Sequence, residues 1–428
     1  MNPLLPPQHF VPDPEARVWA DGRLYLYGSY DISGDTAYCS HQLRTFSSAD
    51  LLHWTDHGVS FRSAGEGKDT AHIVPWDLPL YAPDCVYRDG LYHLFFCLSD
   101  ATEGVARSPS PTGPFRDAVA IEGAHKDAID PAVLIDDDGQ AYLYWGQFNC
   151  RAAKLNRDMT AILPETLNRN LINEKDHGFH EGPSIRKRNG IYYLVYTDTS
   201  RGKATCLSYA TSRSPLGPFT KRGVIIDNDG CDRETWNNHG SIESFKGRWY
   251  VFYHRSSQGS KVNRRACAER IEFDADGLIK EVEMTTQGVE GPLNARQEIG
   301  AWRACLLNGR VQTESVGPLD DTGRFDEHLA FIESGNFAAY KYLDFGPGHL
   351  THFQCQAASL TLGGTIELHL DSETGPHIGT CQVTPTTGWQ QWKTFECPIP
   401  PVQGHHALYL VFHGPNGWLM NLKNFRFK

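Results

Sequence analysis

The hydrophobic residues of this chain recur as short β-type runs, with no long helical stripe between them. Five segments share one design: a turn holding Gly, then a few residues rich in Tyr, Phe, Leu and Val. They read ADGRLYLYGS at Gly22, RDGLYHLFFC at Gly90, DDGQAYLYWG at Gly139, RNGIYYLVYT at Gly190 and KGRWYVFYHR at Gly247. Asp-Gly, Asn-Gly and Lys-Gly between β-prone runs mark hairpins, because Gly accepts the positive φ of a tight turn. Successive turns lie 68, 49, 51 and 57 residues apart, the length that about four short strands per repeat would occupy. A second echo, ARSPSPTGPF ending at Phe115 and ATSRSPLGPF ending at Phe219, repeats within two of the units. The pattern predicts an all-β chain whose first part is a five-bladed β-propeller. GVEGPLNARQ, with Gly288, Gly291 and Pro292, reads as its exit, so the propeller is expected over 1–291 and a linker over 292–302. From about Arg303 alternating runs resume, among them FAAYKYLDFG, GGTIELHLDS, GWQQWKTFEC and HALYLVFHG, and predict a second β-rich domain over 303–428.

Composition narrows the picture. A chain of 428 residues is long enough for two cores. A net charge of −11 argues against a nucleic-acid partner, which needs clustered Lys and Arg, and leaves a neutral carbohydrate open. No run approaches the roughly 20 apolar residues of a membrane span. The opening MNPLLPPQHFVPDP shows neither the basic segment nor the apolar core of a secretory leader. Eleven cysteines, scattered without CxxC pairs or zinc-ligand spacing, read as reduced and buried. The expected location is therefore the cytoplasm, with secretion the alternative if a leader has been removed. Oligomeric state leaves no mark in the sequence.

The chemistry shows upstream of the turns. Nine residues before Gly22, Gly139, Gly190 and Gly247 stand Asp13, Asp130, Glu181 and Asn238, in the strings PDP, IDP, EGP and NNHG; in the second unit Asp84 of APD stands six before Gly90. If each opens the innermost strand of its blade, all five point into one channel. Carboxylates so gathered raise one another's proton affinity, which lets one remain an acid while another stays ionised. Glycoside hydrolysis needs that division. Acids beside Pro or Gly also cap turns, but the shared offset favours function.

These blocks resemble glycoside hydrolase family 43. FVPDPEARVWADGRLYLYGSYD, YAPD, AIDPAVLIDDDGQAYLYWG, HEGPSIRKRNGIYYLVYT and NNHGSIESFKGRWYVFYHR follow that family's order over Asn2 to Gly291. The resemblance implies an inverting glycosidase acting on β-xylosides, α-L-arabinofuranosides or arabinans. It implies Asp13 as the general base, Glu181 as the general acid and Asp130 as the carboxylate that raises and orients the acid. Tyr81 and Asp84 fall to the substrate pocket, with Tyr81 where the family usually has Trp. His239 matches the channel histidine that helps hold a central Ca²⁺ through its hydration shell; the chemistry itself needs no cofactor. The family's active-site arginine falls on Arg264 or Arg265, and Arg265 is preferred. The expected action is exo-type release of L-arabinofuranose or D-xylose from plant-derived, arabinoxylan-type oligosaccharides. Galactosidase or arabinanase specificity, a retaining fructosidase-type propeller and a non-catalytic sugar-binding propeller are the alternatives.

The second domain resembles a family 6 carbohydrate-binding module, a β-sandwich of jelly-roll type. Trp389, Trp392 and Asn421 are its candidate sugar-binding residues, since aromatic faces cover sugar CH surfaces and amides meet hydroxyls. Two acids that help hold a structural Ca²⁺ in that family are replaced, at Cys305 and Lys423. A thiol and an ammonium are poor partners for a hard cation. The expectation is therefore no calcium there, and a domain that chiefly braces the propeller.

Overall fold

The computed structural model describes residues 1–63, 77–124, 128–317 and 325–428. Among them, residues 15–271 form five consecutive antiparallel sheets, each a simple meander; the first four have four strands and the fifth has three. The predicted aromatic runs are the second strands: Leu24–Gly28, Leu91–Leu98, Ala141–Trp145, Ile191–Asp198 and Arg248–Ser257. The hairpin into Ile191–Asp198 turns on Asn189 and Gly190, both at positive φ (51° and 73°), with Arg188 opposite Ile191. Two consecutive residues at positive φ define the primed turn that matches strand twist, which is why Asn-Gly stands there.

The inner strands are Glu15–Val18, Leu80–Arg88, Ala132–Ile135, Phe179–Arg188 and Ser241–Phe245. Each adjoins the next, and the fifth adjoins the first, so they close a ring. Apolar burial follows the same circuit. Leu94 and Phe96 pack with Tyr25 and Phe61; Val86 and Phe95 with Val133 and Trp145; Tyr144 with Tyr196; Tyr193 with Tyr253; and Phe252 with Leu26 and Phe46. Each such side chain, fully buried, contributes roughly 1.5–3 kcal/mol. The amino terminus seals the last gap: Leu4 N–H donates to Ala266 O at 2.9 Å, and Asn2 exchanges two side-chain hydrogen bonds with Ala268.

Below the ring's mouth the axis is filled by charge. Arg17 grips Asp84 in a fork (2.6–3.0 Å) and reaches Val133 O at 3.1 Å. Arg186 joins Glu15 and, at 2.9 Å, Glu243. All five inner strands are thereby tied at one level.

Residues 293–427 form a β-sandwich of two sheets, six strands each among the described residues. Its core lies between them and includes Tyr340, Phe353, Ile366, Leu410, Phe412, Phe425 and Phe427. GTIELHL alternates buried and half-buried along its whole length, as a strand with one covered face must. The segment 292–302 is not the linker expected from its Gly and Pro. Leu293–Asn294 pairs with Phe337–Asp344 in one sheet, and Ile299–Gly300 pairs with Asn421–Phe427 in the other. Burial of Leu293 and Ile299 in the sandwich core is what draws it in.

Candidate active site

The first residues of the inner strands and the segments just before them meet in a cavity of about 220 Å³. It is lined by Asp13, Tyr81, Asp130, Glu181, Asn237 and His239, with Tyr38, Gln147, Trp236 and Arg264 from neighbouring loops and strands. Four of those segments pivot on proline. Pro14, Pro83, Pro131 and Pro183 each follow a residue at positive φ: Asp13 (55°), Ala82 (21°), Asp130 (66°) and Gly182 (64°). For Asp13 and Asp130 this left-handed backbone costs about 1–2 kcal/mol each, strain of the kind that collects at functional sites. At Gly182 a Cβ would come within 2.9 Å of the His239 ring, so only glycine fits.

Asp13 is buried yet richly partnered. Its carboxylate accepts from Ser29 Oγ at 2.6 Å and from Arg264 Nη1 at 3.1 Å, and His239 Nδ1 stands 3.7 Å away. Burial pushes its pKa up, but Arg264 first, then His239, His254 and Ser29, outweigh burial and hold it below the usual carboxylate value. His254 backs it: Nδ1 accepts from the Asp13 N–H at 3.3 Å, and Nε2 is 3.1 Å from Asn237 O. Burial and the Arg264 charge push the His254 pKa down to about 3, so this imidazole is neutral and its Nε2 donates to Asn237.

Asp130 has the opposite balance. Burial first, then the charges of Glu181, Asp13 and Glu103, raise it well above the ordinary value, with Arg264 opposing. His239 Nδ1 bridges the two aspartates, 3.7 Å from Asp13 and 3.8 Å from Asp130. Glu181 is half-buried and fixed by two amides: Gln147 donates to Oε2 at 2.9 Å and Asn237 to Oε1 at 3.2 Å.

A carboxylate held below its usual pKa, a second raised well above it and a third held by amides thus face one cavity. That set can give and take protons on opposite sides of a bound bond. Residues 1–279 match the sequence model of Glycosyl hydrolases family 43. The chain belongs to that family. It is a glycosidase, and residues 309–428 match the family 6 carbohydrate-binding module. The Arabinoxylan arabinofuranohydrolase of Bacillus subtilis (strain 168) is 31% identical, over 100% of this chain and 92% of that protein. A crystal structure of a family 43 arabinoxylan arabinofuranohydrolase from Bacillus subtilis, in complex with cellotetraose, aligns with a TM-score of 0.58 at 30% identity, covering 100% of this chain and 97% of that one. A β-xylosidase/α-arabinofuranosidase from a compost microbial metagenome, in complex with xylotriose and in calcium-free form, aligns with a TM-score of 0.57 at 32% identity. It covers 66% of this chain and 97% of that one.

Three sequence expectations are placed differently by the hydrolase's structure. Arg265 is not in the cavity; Arg264 is. Neighbours on a strand face opposite ways, and Arg265 leaves the site to meet Glu327 of the sandwich at 2.5 Å. Asp84 is not a pocket residue: in its sheet Ala82 holds the place of Asp13 and Asp130, and Asp84, two residues on, is buried against Arg17. Asn238 does not enter the cavity; it is buried, donating to Thr205 O at 3.0 Å, while Asn237 and His239 on either side do enter. His239 does line the cavity, facing the Asp13 and Asp130 carboxylates, and among the described residues no group of three or more His, Cys, Asp or Glu side chains converges to hold a metal directly. Calcium takes six to eight oxygen ligands, so these side chains do not form a direct cage for it.

In the sandwich, Trp389, Trp392 and Asn421 do come together. Asn421 Nδ2 donates to Trp389 O at 3.0 Å and lies 3.2 Å from His328 Nε2, and Trp392 meets the same His328 ring edge-on at 5.2 Å. Lys423 pairs with Asp326. Cys305 is buried in the apolar cluster that also holds Ile226, Cys231 and Met284 of the catalytic unit.

Proposed function

We propose that the hydrolase releases L-arabinofuranose or D-xylose, exo-fashion and with inversion, from arabinoxylan-type oligosaccharides. The observation that carries this reading is the contrast between Asp13, kept ionised by Arg264, and Glu181, presented across the same cavity by Gln147 and Asn237. Asp13 takes a proton from water as its oxygen attacks the anomeric carbon. Glu181 gives its proton to the departing glycosidic oxygen, so the bond breaks without a charged alkoxide. Asp130, whose own proton affinity the Glu181 and Asp13 charges raise, stands beside the acid and orients it, and His239 lies between it and the base. Tyr38, Tyr81 and the half-exposed Trp236 offer apolar walls for the sugar ring. The names of the relatives and the bound oligosaccharide in the compost enzyme support pentoside substrates.

The five sheets act as blades of a five-bladed propeller in this reading, supported by the closed circuit of inner strands. A Ca²⁺ in its channel would be held through water beside His239. Eleven buried cysteines, none of them bonded, support the cytoplasm. The sandwich serves chiefly as a brace, since the Asn421 amide is already engaged; strong xylo-oligosaccharide binding in calorimetry of the full chain with Asp13→Asn, lost on Trp392→Ala, would overturn that.

The main test is a nitrophenyl panel of arabinofuranoside, xyloside and galactoside. Wild type should cleave one of the first two. Asp13→Asn and Glu181→Gln should each lose about 10²–10⁴-fold in kcat, the usual weight of general acid–base catalysis. NMR should show the first-formed anomer inverted. A wild type as inert as Glu181→Gln would leave a sugar-binding propeller, and a retained anomer would exclude the roles given to Asp13.

A further inference from the structure

We propose that Glu327, from the sandwich domain, is a positioning residue for the catalytic base, acting through Arg265 on Arg264 and Asp13. The two arginines are consecutive on strand Ser260–Ile271 and project to opposite sides. Arg264 grips Asp31 through Nε and Nη2, both at 3.0 Å, and Asp13 through Nη1. Arg265 is held just as fully on the other side: Nη2 to Glu327 at 2.5 Å, Nη1 to Pro7 O at 2.6 Å and Nε to Ser257 Oγ at 3.2 Å. Its guanidinium lies 4.1 Å over the Phe10 ring.

Those contacts reach the base by two routes. One is the peptide bond from Arg265 to Arg264. The other is the segment from Pro7 to Asp13: Phe10 O accepts from the Asp31 N–H at 2.9 Å, and Asp31 in turn fixes Arg264. The Arg265 and Glu327 side chains are 3% and 0% exposed. A buried guanidinium deprived of its carboxylate is not left in place, because an unpaired buried charge is far more costly than a shifted side chain. The sandwich also grips the hairpin at the head of the same strand, through Thr313 Oγ1 accepting from Gln258 N–H at 3.1 Å and Ser315 Oγ from Gln258 Nε2 at 2.5 Å. Among the described residues, no group of the sandwich lines the cavity itself.

This inference rests on Asp13 being the base, which wild-type activity and Asp13→Asn test separately. In the full chain, Glu327→Gln should lower kcat about ten- to a hundredfold, as small displacements of catalytic groups do, with KM changed less than about twofold. Arg265→Lys, which keeps the charge and loses the fork, should show the same split, and it serves if Glu327→Gln folds too poorly to assay. Glu327→Asp should restore most of the rate. Tyr342→Phe is the control: it removes another contact between the domains, Tyr342 Oη to Glu283 at 2.7 Å, away from this strand. It should leave kcat unchanged even where Tm falls. Unchanged kcat in folded Glu327→Gln and Arg265→Lys, or an equal loss in Tyr342→Phe, would overturn the proposal and leave a brace without catalytic influence.

Discussion

At the scale of the residue, the site works by unequal treatment of like groups. Asp13 and Asp130 share a backbone conformation and a following proline, yet one is surrounded by donors and the other by acids. Neither the motif nor its spacing distinguishes them; the neighbours do. His254 behind Asp13 gives a pH test. Its folded pKa, about 3, lies below the roughly 6.5 of an unfolded imidazole. Between those values the unfolded chain binds a proton that the native protein refuses. Stability present above pH 6.5 is therefore lost as pH falls toward 3, by about 1.4 kcal/mol per pH unit. The raised carboxylates Asp130 and Glu103 act in the opposite sense, but they do so in any variant and cancel in a comparison. Urea unfolding of wild type and His254→Gln between pH 6.5 and 4 should show a shallower slope in the variant. Equal slopes would mean that His254 is not held neutral.

At the scale of the element, the inner strands belong to five separate sheets and do not pair with one another, and charge does part of the joining. Arg186 links the fourth sheet to the first and fifth, and Arg17 links the first to the second and third. Removing one member of such a network leaves its partners buried and unpaired. Arg186→Met should cost about 3–5 kcal/mol, read as a lowered urea midpoint, whereas a loss under about 1 kcal/mol would mean that the axis is wet enough to screen it. The same elements explain where counting along the chain succeeded. Val18 faces Leu24 and Ile135 faces Ala141, so the first and third sheets have equal turns and Asp13 and Asp130 fall in true register. The fourth sheet has a tighter turn and bulges around Glu181. Its offset of nine agrees only because a shorter hairpin is compensated by a longer strand. In the fifth, the same count lands on Asn238, between the two residues that enter the cavity.

At the scale of the whole molecule, the sandwich is built into the catalytic unit. Gln287 N–H donates to Lys341 O and Leu307 N–H to Gly230 O, both at 2.8 Å, while Arg303 Nη1 reaches Pro3 O at 2.9 Å. Met1 packs against the sandwich core, and Cys305 is shared into the other one. Domains joined through buried charge and shared apolar clusters should not unfold one at a time. Calorimetry should give a single transition whose calorimetric and van't Hoff enthalpies agree; two resolved transitions would refute the coupling.

The sequence by itself determined the repeated hairpins, the all-β character and the three acids, because these depend on local chemistry: Gly for positive φ, Pro for a fixed pivot, alternation for a covered face. Tyr81 was legible for the same reason, lying beside the Pro83 pivot, and His239 through its string NNHG at the matching place in the fifth repeat. Tertiary structure alone decided that Arg264 rather than Arg265 lines the cavity, that Asp84 belongs to an ionic axis, and that Gln147 and Asn237 hold Glu181. Each of those choices depends on which face of a strand meets which distant segment. A one-residue change in register reverses that face, and register is set by turns, bulges and the packing of neighbouring sheets.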